Sequence, residues 1–306
     1  MDKRLLDVVI IGGGPGGLST ALVLGRSRRT VALIDDGKPR NAVTHLSHGF
    51  LTRDGVKPFE LRSIAREQLK PYKTISLYDD YVETVQYEES HFKTITRNGD
   101  IFLSRKVMVA TGLKEELPPI PGLDEIYGTS VFPCPYCDGW EHRDQPLAVI
   151  GNGEKLLNYT KMIHHWSKDL VVCTNGPASI TQQEKQELTH HHIRLVESPI
   201  RELMSRGGQL NQIIFQSGET IKRSVGFLLD TGAKQATMIP QQLGIKLDEL
   251  GSFETKGHGT TNVKGLFIIG DAAKRFTGLI GAASEGYAAG VVLNHELVEE
   301  DWNSFL

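Results

Sequence analysis

The stretch that most constrains this chain is DVVIIGGGPGGLSTALVLGRSRRTVALIDD, residues 7–36. Residues 7–11, Asp7 followed by a continuous apolar run over 8–11, have the pattern of a strand buried on both faces. Gly12, Gly14 and Gly17 then spell G-x-G-x-x-G, with Pro15 inside it. Residues 18–27 read as a helix, and a second apolar strand over 30–34 ends at Asp35, 18 residues past the last glycine. Gly12 allows a tight turn, Gly14 lets backbone approach a pyrophosphate, and Gly17 lets helix and strand pack closely. The helix N-terminus favours phosphate charge, and Asp35 can accept from a ribose hydroxyl. In this order the parts read as dinucleotide binding. The plainer alternative is a Gly-rich strand-to-helix turn in an unrelated α/β protein.

The 306 residues suffice for one large or two ordinary domains. With 39% hydrophobic residues, 23% charged and 32 glycines, the chain reads as globular and rich in tight turns. A formal charge of −3 implies no basic face, so nucleic acid is not an expected partner. No apolar run reaches bilayer-spanning length, so no membrane is expected either. The start, MDKRLLDVVIIGGGPGG, mimics an export signal, but its apolar run ends in glycines and reads as a strand. Three cysteines without an export signal point to the reducing cytoplasm and away from a structural disulfide framework.

The far end, residues 262–297, carries an apolar strand over 266–269, then Gly270 and Asp271, then a small-residue helix over about 281–297. An Asp just past a strand can hold a ribityl hydroxyl. A helix start at Ile280, Gly281 and Ala282 can offer N–H groups and a positive dipole end to a reduced flavin ring. Alanines that simply pack the helix on a sheet would look the same. With VMVATG, residues 107–112, which contains Thr111 and Gly112, the segment matches the second and third FAD signatures of two-dinucleotide flavoproteins.

Between these ends lies Cys134-Pro135-Tyr136-Cys137. A structural zinc site would need two more ligands at short spacing. Cys173, His142 and the His190–His192 cluster supply no second pair, so no metal is assigned. A redox dithiol at a helix start suits the spacing better, because a helix N-terminus lowers a thiol pKa and Pro135 fits a first turn.

GGGPGG (12–17), VATG (109–112), CPYCDGW (134–140), GNG (151–153) and GLFIIGDAA (265–273) together resemble the thioredoxin reductase family of flavin disulfide oxidoreductases, nearly end to end. The resemblance implies an α/β protein of two Rossmann-like, three-layer dinucleotide-binding domains, the second inserted in the first. Residues 1–113 plus 236–306 would bind FAD, and residues 114–235 would form an NAD(P)H-type domain carrying the Cys pair. The Pro-rich EELPPIPGLDE (115–125) and LLDTGAKQA (228–236) suit the two crossings. The resemblance also implies roles. Cys137 would be the flavin-proximal cysteine, Cys134 the one that exchanges with substrate, and Asp138 the acid serving a leaving thiol. Asp138 could equally be a first-turn helix acid. His142 is an additional proton carrier or an ordinary histidine, and Cys173 a small buried hydrophobe. A homodimer follows from the family, with a thioredoxin-like protein or a small-molecule thiol or disulfide as partner.

Two segments depart from the family. The second turn keeps Gly151 and Gly153, a weak nucleotide turn, but its third position is Leu156, which should push the helix outward. Eighteen residues on stands Thr174, neither an acid for NAD nor the arginines of an NADPH site, while Arg201 and Arg206 come later. That domain is expected to keep its fold with weak or no nicotinamide binding. RNAVTHLSHGFLTRDG, residues 40–55, resembles a subgroup that includes the gliotoxin- and holomycin-type dithiol oxidases, although those carry His where this chain has Asp138. Arg40, Asn41 and His48 are placed against FAD, and TRDG is a turn. His45 and His48 can instead line the substrate side or be loop histidines bonded to backbone.

The leading expectation is an FAD-dependent dithiol–disulfide oxidoreductase exchanging electrons between flavin, the Cys134–Cys137 pair and a thiol or disulfide partner. An oxygen-using dithiol oxidase, a ferredoxin-linked reductase and a non-catalytic flavin redox sensor remain as alternatives. Residues 73–106 read as short strands of a small antiparallel sheet, and residues 178–206 as a helix and strand of the inserted domain.

Overall fold

The computed structural model describes residues 5–88 and 90–304. Residues 1–4, where the export-signal mimic begins, and Glu89, which ends the YVETVQYEE stretch, lie outside the described residues. The chain opens with β1 (Leu6–Ile11), α1 (Pro15–Arg26), β2 (Val31–Asp35), α2 (Pro58–Leu69), β3 (Ile75–Asp79), β4 (Val82–Glu88), β5 (His91–Thr96), β6 (Ile101–Val109) and β7 (Leu113–Lys114). There follow α3 (Leu123–Ile126), β8 (Val131–Phe132), α4 (Pro135–Asp138), β9 (Leu147–Ile150), α5 (Leu156–Ile163), β10 (Leu170–Cys173), α6 (Gln182–His190), β11 (Arg194–Val196), β12 (Ile200–Arg206), β13 (Gln209–Phe215), β14 (Thr220–Lys222) and β15 (Val225–Leu228). It closes with β16 (Lys234–Gln235), α7 (Ile239–Gln242), β17 (Leu266–Ile268) and α8 (Gly278–Asn303).

Two compact units result. One takes the chain up to Ala42, Gly49–Lys114 and everything from Lys234 on; the other takes Val43–His48 and Glu115–Ala233. In the first unit the strands run β3-β2-β1-β6-β5-β4, with β17 also on β6. β1 is parallel to β2 and β6, which is why its side chains point into two cores. Val8 and Ile10 meet Leu18, Ala21 and Leu24 of α1 and Leu293 and Leu297 of α8. Val9 and Ile11 meet Val107, Val109 and Phe253 on the other face. The continuous apolar run therefore marks a central strand.

Of the strands after residue 73, β4, β5 and β6 pair antiparallel as expected, while β3 pairs parallel with β2, and all belong to one sheet. β6 is nine residues long, enough to pair antiparallel with β5 over Ile101–Ser104 and parallel with β1 over Ser104–Val109. α8 also exceeds its expected 281–297. Its acidic last turns stay helical where Glu296 and Glu300 pair with the buried Lys106, and Glu300 and Asp301 with Arg105.

The second unit has a parallel sheet in the order β11-β10-β9-β15-β8 and an antiparallel β12-β13-β14 sheet. Leu147 and Val149 of β9 pack on Leu156, Leu157 and Ile163 of α5. Ala148 and Ile150 pack on Leu123, Leu203 and Phe215. Both units are Rossmann-like, the second inserted into the first.

Candidate active site

In the first unit the glycine turn is held by packing. Gly12 has φ +106°, and a Cβ there would run into the Ala110 carbonyl. A Cβ on Gly17 would run into the Gly12 carbonyl oxygen. Gly14 is the N-cap of α1, with Pro15 at the first helical position and open space where a Cβ would point. The helix begins earlier than residue 18 because Pro15 has the helical φ already fixed. Asp35 ends β2, and its Oδ1 accepts the Gly13 N–H at 2.9 Å. Its other oxygen pairs with Arg62, whose Nε donates to the Gly13 carbonyl at 3.2 Å. Arg62 of α2 was not singled out from the sequence; a lone arginine on an amphipathic helix gives no signal.

The C-terminal candidates join the same unit. Asp271 Oδ1 accepts from Thr277 N–H and Oγ1 at 3.0 and 2.9 Å, and Oδ2 pairs with Arg40 at 2.7 Å. Glu285 accepts the Gly270 N–H at 2.9 Å and pairs with Lys274 at 2.5 Å. Asn41, beside Arg40, lies in the short 3-10 turn Arg40–Val43. Ile280, Gly281 and Ala282 lie in the first two turns of α8, which starts at Gly278. The small residues of that helix pack on α1: a Cβ on Gly286 would strike the Gly16 carbonyl, and Thr20 Oγ1 donates to Gly286 O at 3.0 Å. Thr111 Oγ1 is buried without a hydrogen-bond partner among the described residues, and the adjacent Gly112 has φ +64° with open space before it. An orphaned buried hydroxyl beside two open glycine faces and a helix N-terminus fits a bound FAD.

In the second unit Cys134 and Cys137 are joined as a disulfide. Cys134 caps α4, and its Sγ accepts the Cys137 N–H at 3.1 Å. The helix is a single turn, so the nearby N–H groups act on the sulfur and no long macrodipole does. Tyr159 of α5 braces the approach: its hydroxyl lies 3.1 Å from the Pro133 carbonyl and 3.2 Å from that of Leu228. Burial keeps that phenol protonated. Asp138 is 8% exposed. Burial pushes its carboxyl from 3.8 up to about 7, with His48 pulling down and Glu141 pushing up. His48 belongs to this unit, its Nδ1 2.9 Å from the Cys137 carbonyl oxygen and its Nε2 3.5 Å from Glu141. His45 is exposed. His142 stacks on Phe132 at 5.1 Å, and burial lowers its pKa. Cys173 is fully buried in β10, its thiol pushed up to about 12. Among the described residues no three His, Cys, Asp or Glu gather as a metal site, and no helix is long and apolar enough to cross a membrane.

The second glycine turn has a different shape. α5 starts only at Leu156, the position matching Gly17, because that side chain is fully buried in the core beneath the helix. Leu156 thus stands at the first position of a helix that starts later than its counterpart α1. The Gly153 N–H is taken by Asn152 Oδ1 at 2.9 Å, which also accepts from Ser179 N at 2.7 Å, while Asn152 Nδ2 donates to Pro177. Thr174 is buried, donating to Gly176 O at 2.6 Å. These residues do not fit a pyrophosphate and ribose as those of the first turn do.

A pyridine nucleotide-disulphide oxidoreductase family model matches residues 6–290. The chain belongs to that family. It is 31% identical to a protein named "Probable thioredoxin reductase" in Arthroderma benhamiae, over 96% of this chain and 81% of that protein. The crystal structure of a Bacillus anthracis protein described as "Putative Thioredoxin Reductase TrxB" is similar, with TM-score 0.93, 38% identity, and 97% and 99% of the two chains covered. HlmI is similar too, with TM-score 0.93, 33% identity, and 98% and 95% covered. The chain is a thioredoxin reductase-like, FAD-dependent disulfide oxidoreductase.

Proposed function

We propose that the first unit holds FAD and that electrons pass between it and the Cys134–Cys137 pair, and between that pair and an external thiol or disulfide. The observation that carries this is a disulfide followed directly by a buried carboxyl whose pKa stands at about 7. When bound, FAD supplies a two-electron store. Gly12, Gly14, Pro15, Gly17 and Asp35 would hold its phosphates and ribose. Arg40, Asn41, Thr111, Gly112, Gly270, Asp271, Ile280, Gly281 and Ala282 would meet the rest.

A partner thiolate attacks Cys134 Sγ, breaks the S–S bond and leaves Cys137 as a thiolate, which takes the proton of Asp138. The partner's second thiolate attacks the mixed disulfide, and the partner leaves as a disulfide. Cys134 is released as a thiolate and takes a proton from solvent, which also returns one to Asp138; the partner has passed two electrons to the pair and its two thiol protons to solvent. In the reverse direction Asp138 receives the proton. A carboxyl near neutrality serves both directions. The partner is a thioredoxin-like protein or a small-molecule dithiol, met by a homodimer in the cytoplasm.

A second reading is that the enzyme oxidises dithiols, with dioxygen as final acceptor. It is favoured by the second glycine turn, whose Gly153 N–H is already bonded to Asn152. The test of the main reading is anaerobic mixing of the yellow holoenzyme with dithiothreitol. Flavin absorbance should bleach in the parent and fail to do so in Cys137→Ser at equal FAD content; equal bleaching in both would refute the route.

A further inference from the structure

We propose that His48 is a positioning residue for the dithiol chemistry: its Nδ1–H anchors the Cys137 carbonyl, while its Nε2, facing Glu141, sets the charge beside Asp138. The proposal deepens the reading above and rests on it.

A carbonyl oxygen only accepts, so the 2.9 Å contact between His48 Nδ1 and Cys137 O places a proton on Nδ1. The tautomer is thereby fixed, and Nε2 is the nitrogen left to face Glu141. It stands 3.5 Å from Glu141 Oε1. With Nε2 protonated, His48 is an imidazolium paired with Glu141. With Nε2 bare, the anchor on Cys137 survives and only the charge is lost. The two jobs are therefore separable.

His48 arrives on the Val43–His48 segment, outside the stretch that holds the cysteines. Three titratable groups of this unit face Asp138. His48 and Glu141 act on it with opposite sign, and it acts in turn on the Tyr159 phenol of α5. A carboxyl that must both give and take a proton at a sulfur thus has near it an imidazole whose charge, when present, favours its ionised form and a carboxylate whose charge favours its neutral form. The peptide carbonyl of the cysteine next to it is fixed by the same ring.

The experiment uses the FAD-loaded holoenzyme, mixed anaerobically with dithiothreitol between pH 5 and 9, and reads the rate of flavin bleaching. The thiol titration of dithiothreitol is common to every variant, so profiles are compared as ratios to the parent. Loss of the imidazolium should move the protein's inflection up by about 1 unit in His48→Asn, whose amide can still donate to the Cys137 carbonyl. Loss of the anion should move it down by about 1 unit in Glu141→Gln. His48→Ala should lose plateau rate about tenfold through misplacement of the cysteine, and His48→Asn should recover most of that loss. Inflections of His48→Asn and Glu141→Gln that superimpose on the parent, or move in the same direction, would overturn the proposal. If a His48 variant fails to hold FAD, Glu141→Gln alone decides by the sign of its shift. Asp138→Asn separates the two readings: an inflection that persists there contradicts the proton role of Asp138 itself, whatever His48 does.

Discussion

Asp138 ties stability to pH at the scale of a single side chain. Burial pushes its folded carboxyl up to about 7, against the ordinary 3.8 it has when unfolded. The folded chain therefore binds more protons than the unfolded one between those values, and stability from this group is full below about pH 4 and declines as pH rises to about 7. Asp138→Asn removes the dependence. It should match the parent at pH 4 and exceed it at pH 8 by on the order of 4 kcal/mol at most, read from urea midpoints at both pH values. A variant no more stable than the parent at pH 8 would mean the carboxyl is not desolvated as described. Cys173 gives a second check. Its thiol is fully buried and pushed up to about 12. The oxidised native enzyme should show no thiol reactive to a disulfide reagent at pH 8, and one after unfolding.

At the scale of elements, the two glycine turns respond differently to the same change. Gly17→Ala places a methyl against the Gly12 carbonyl and drives α1 off β1. Gly286→Ala does the same between α8 and α1 through the Gly16 carbonyl. Both variants should purify with little FAD, measured by the flavin-to-protein absorbance ratio. Gly153→Ala meets open space and strains only a φ of +106°. It should keep its flavin and lose about 1–2 kcal/mol.

The first turn was legible because strand, glycine spacing, helix and acid are all local and periodic. β1 even announced its two buried faces. The Cys pair was legible for the same reason. Arg62, Thr277, Glu285 and Glu141 were not, since each reaches its partner through tertiary contact and carries no pattern of its own. The sequence did flag Leu156. Its consequence, a helix starting late over a buried leucine, required knowing which side chains the core would take up.

At the scale of the whole molecule, the order of motifs along the chain already implied one unit inserted in the other. Val43–His48 joins the inserted unit although it is flanked by first-unit sequence, and six loop residues give no periodicity to reveal that. The return of the chain is locked by charge. Lys106 is 2% exposed and bonded to Glu296 at 2.9 Å and Glu300 at 2.6 Å. Lys106→Ala should cost about 3 kcal/mol, because two carboxylates lose their buried partner. A loss within 0.5 kcal/mol, about that of an ordinary surface change, would contradict this.

The proposal that this flavoenzyme exchanges electrons through its cysteine pair, and is not fed through the second glycine turn, has a direct test. The direct measurement is anaerobic stopped-flow absorbance of the flavin after mixing with NADPH or with a dithiol at equal concentration. Prompt bleaching by the dithiol and none by NADPH on the same timescale is the expected result. Bleaching by NADPH as fast as by the dithiol would contradict it.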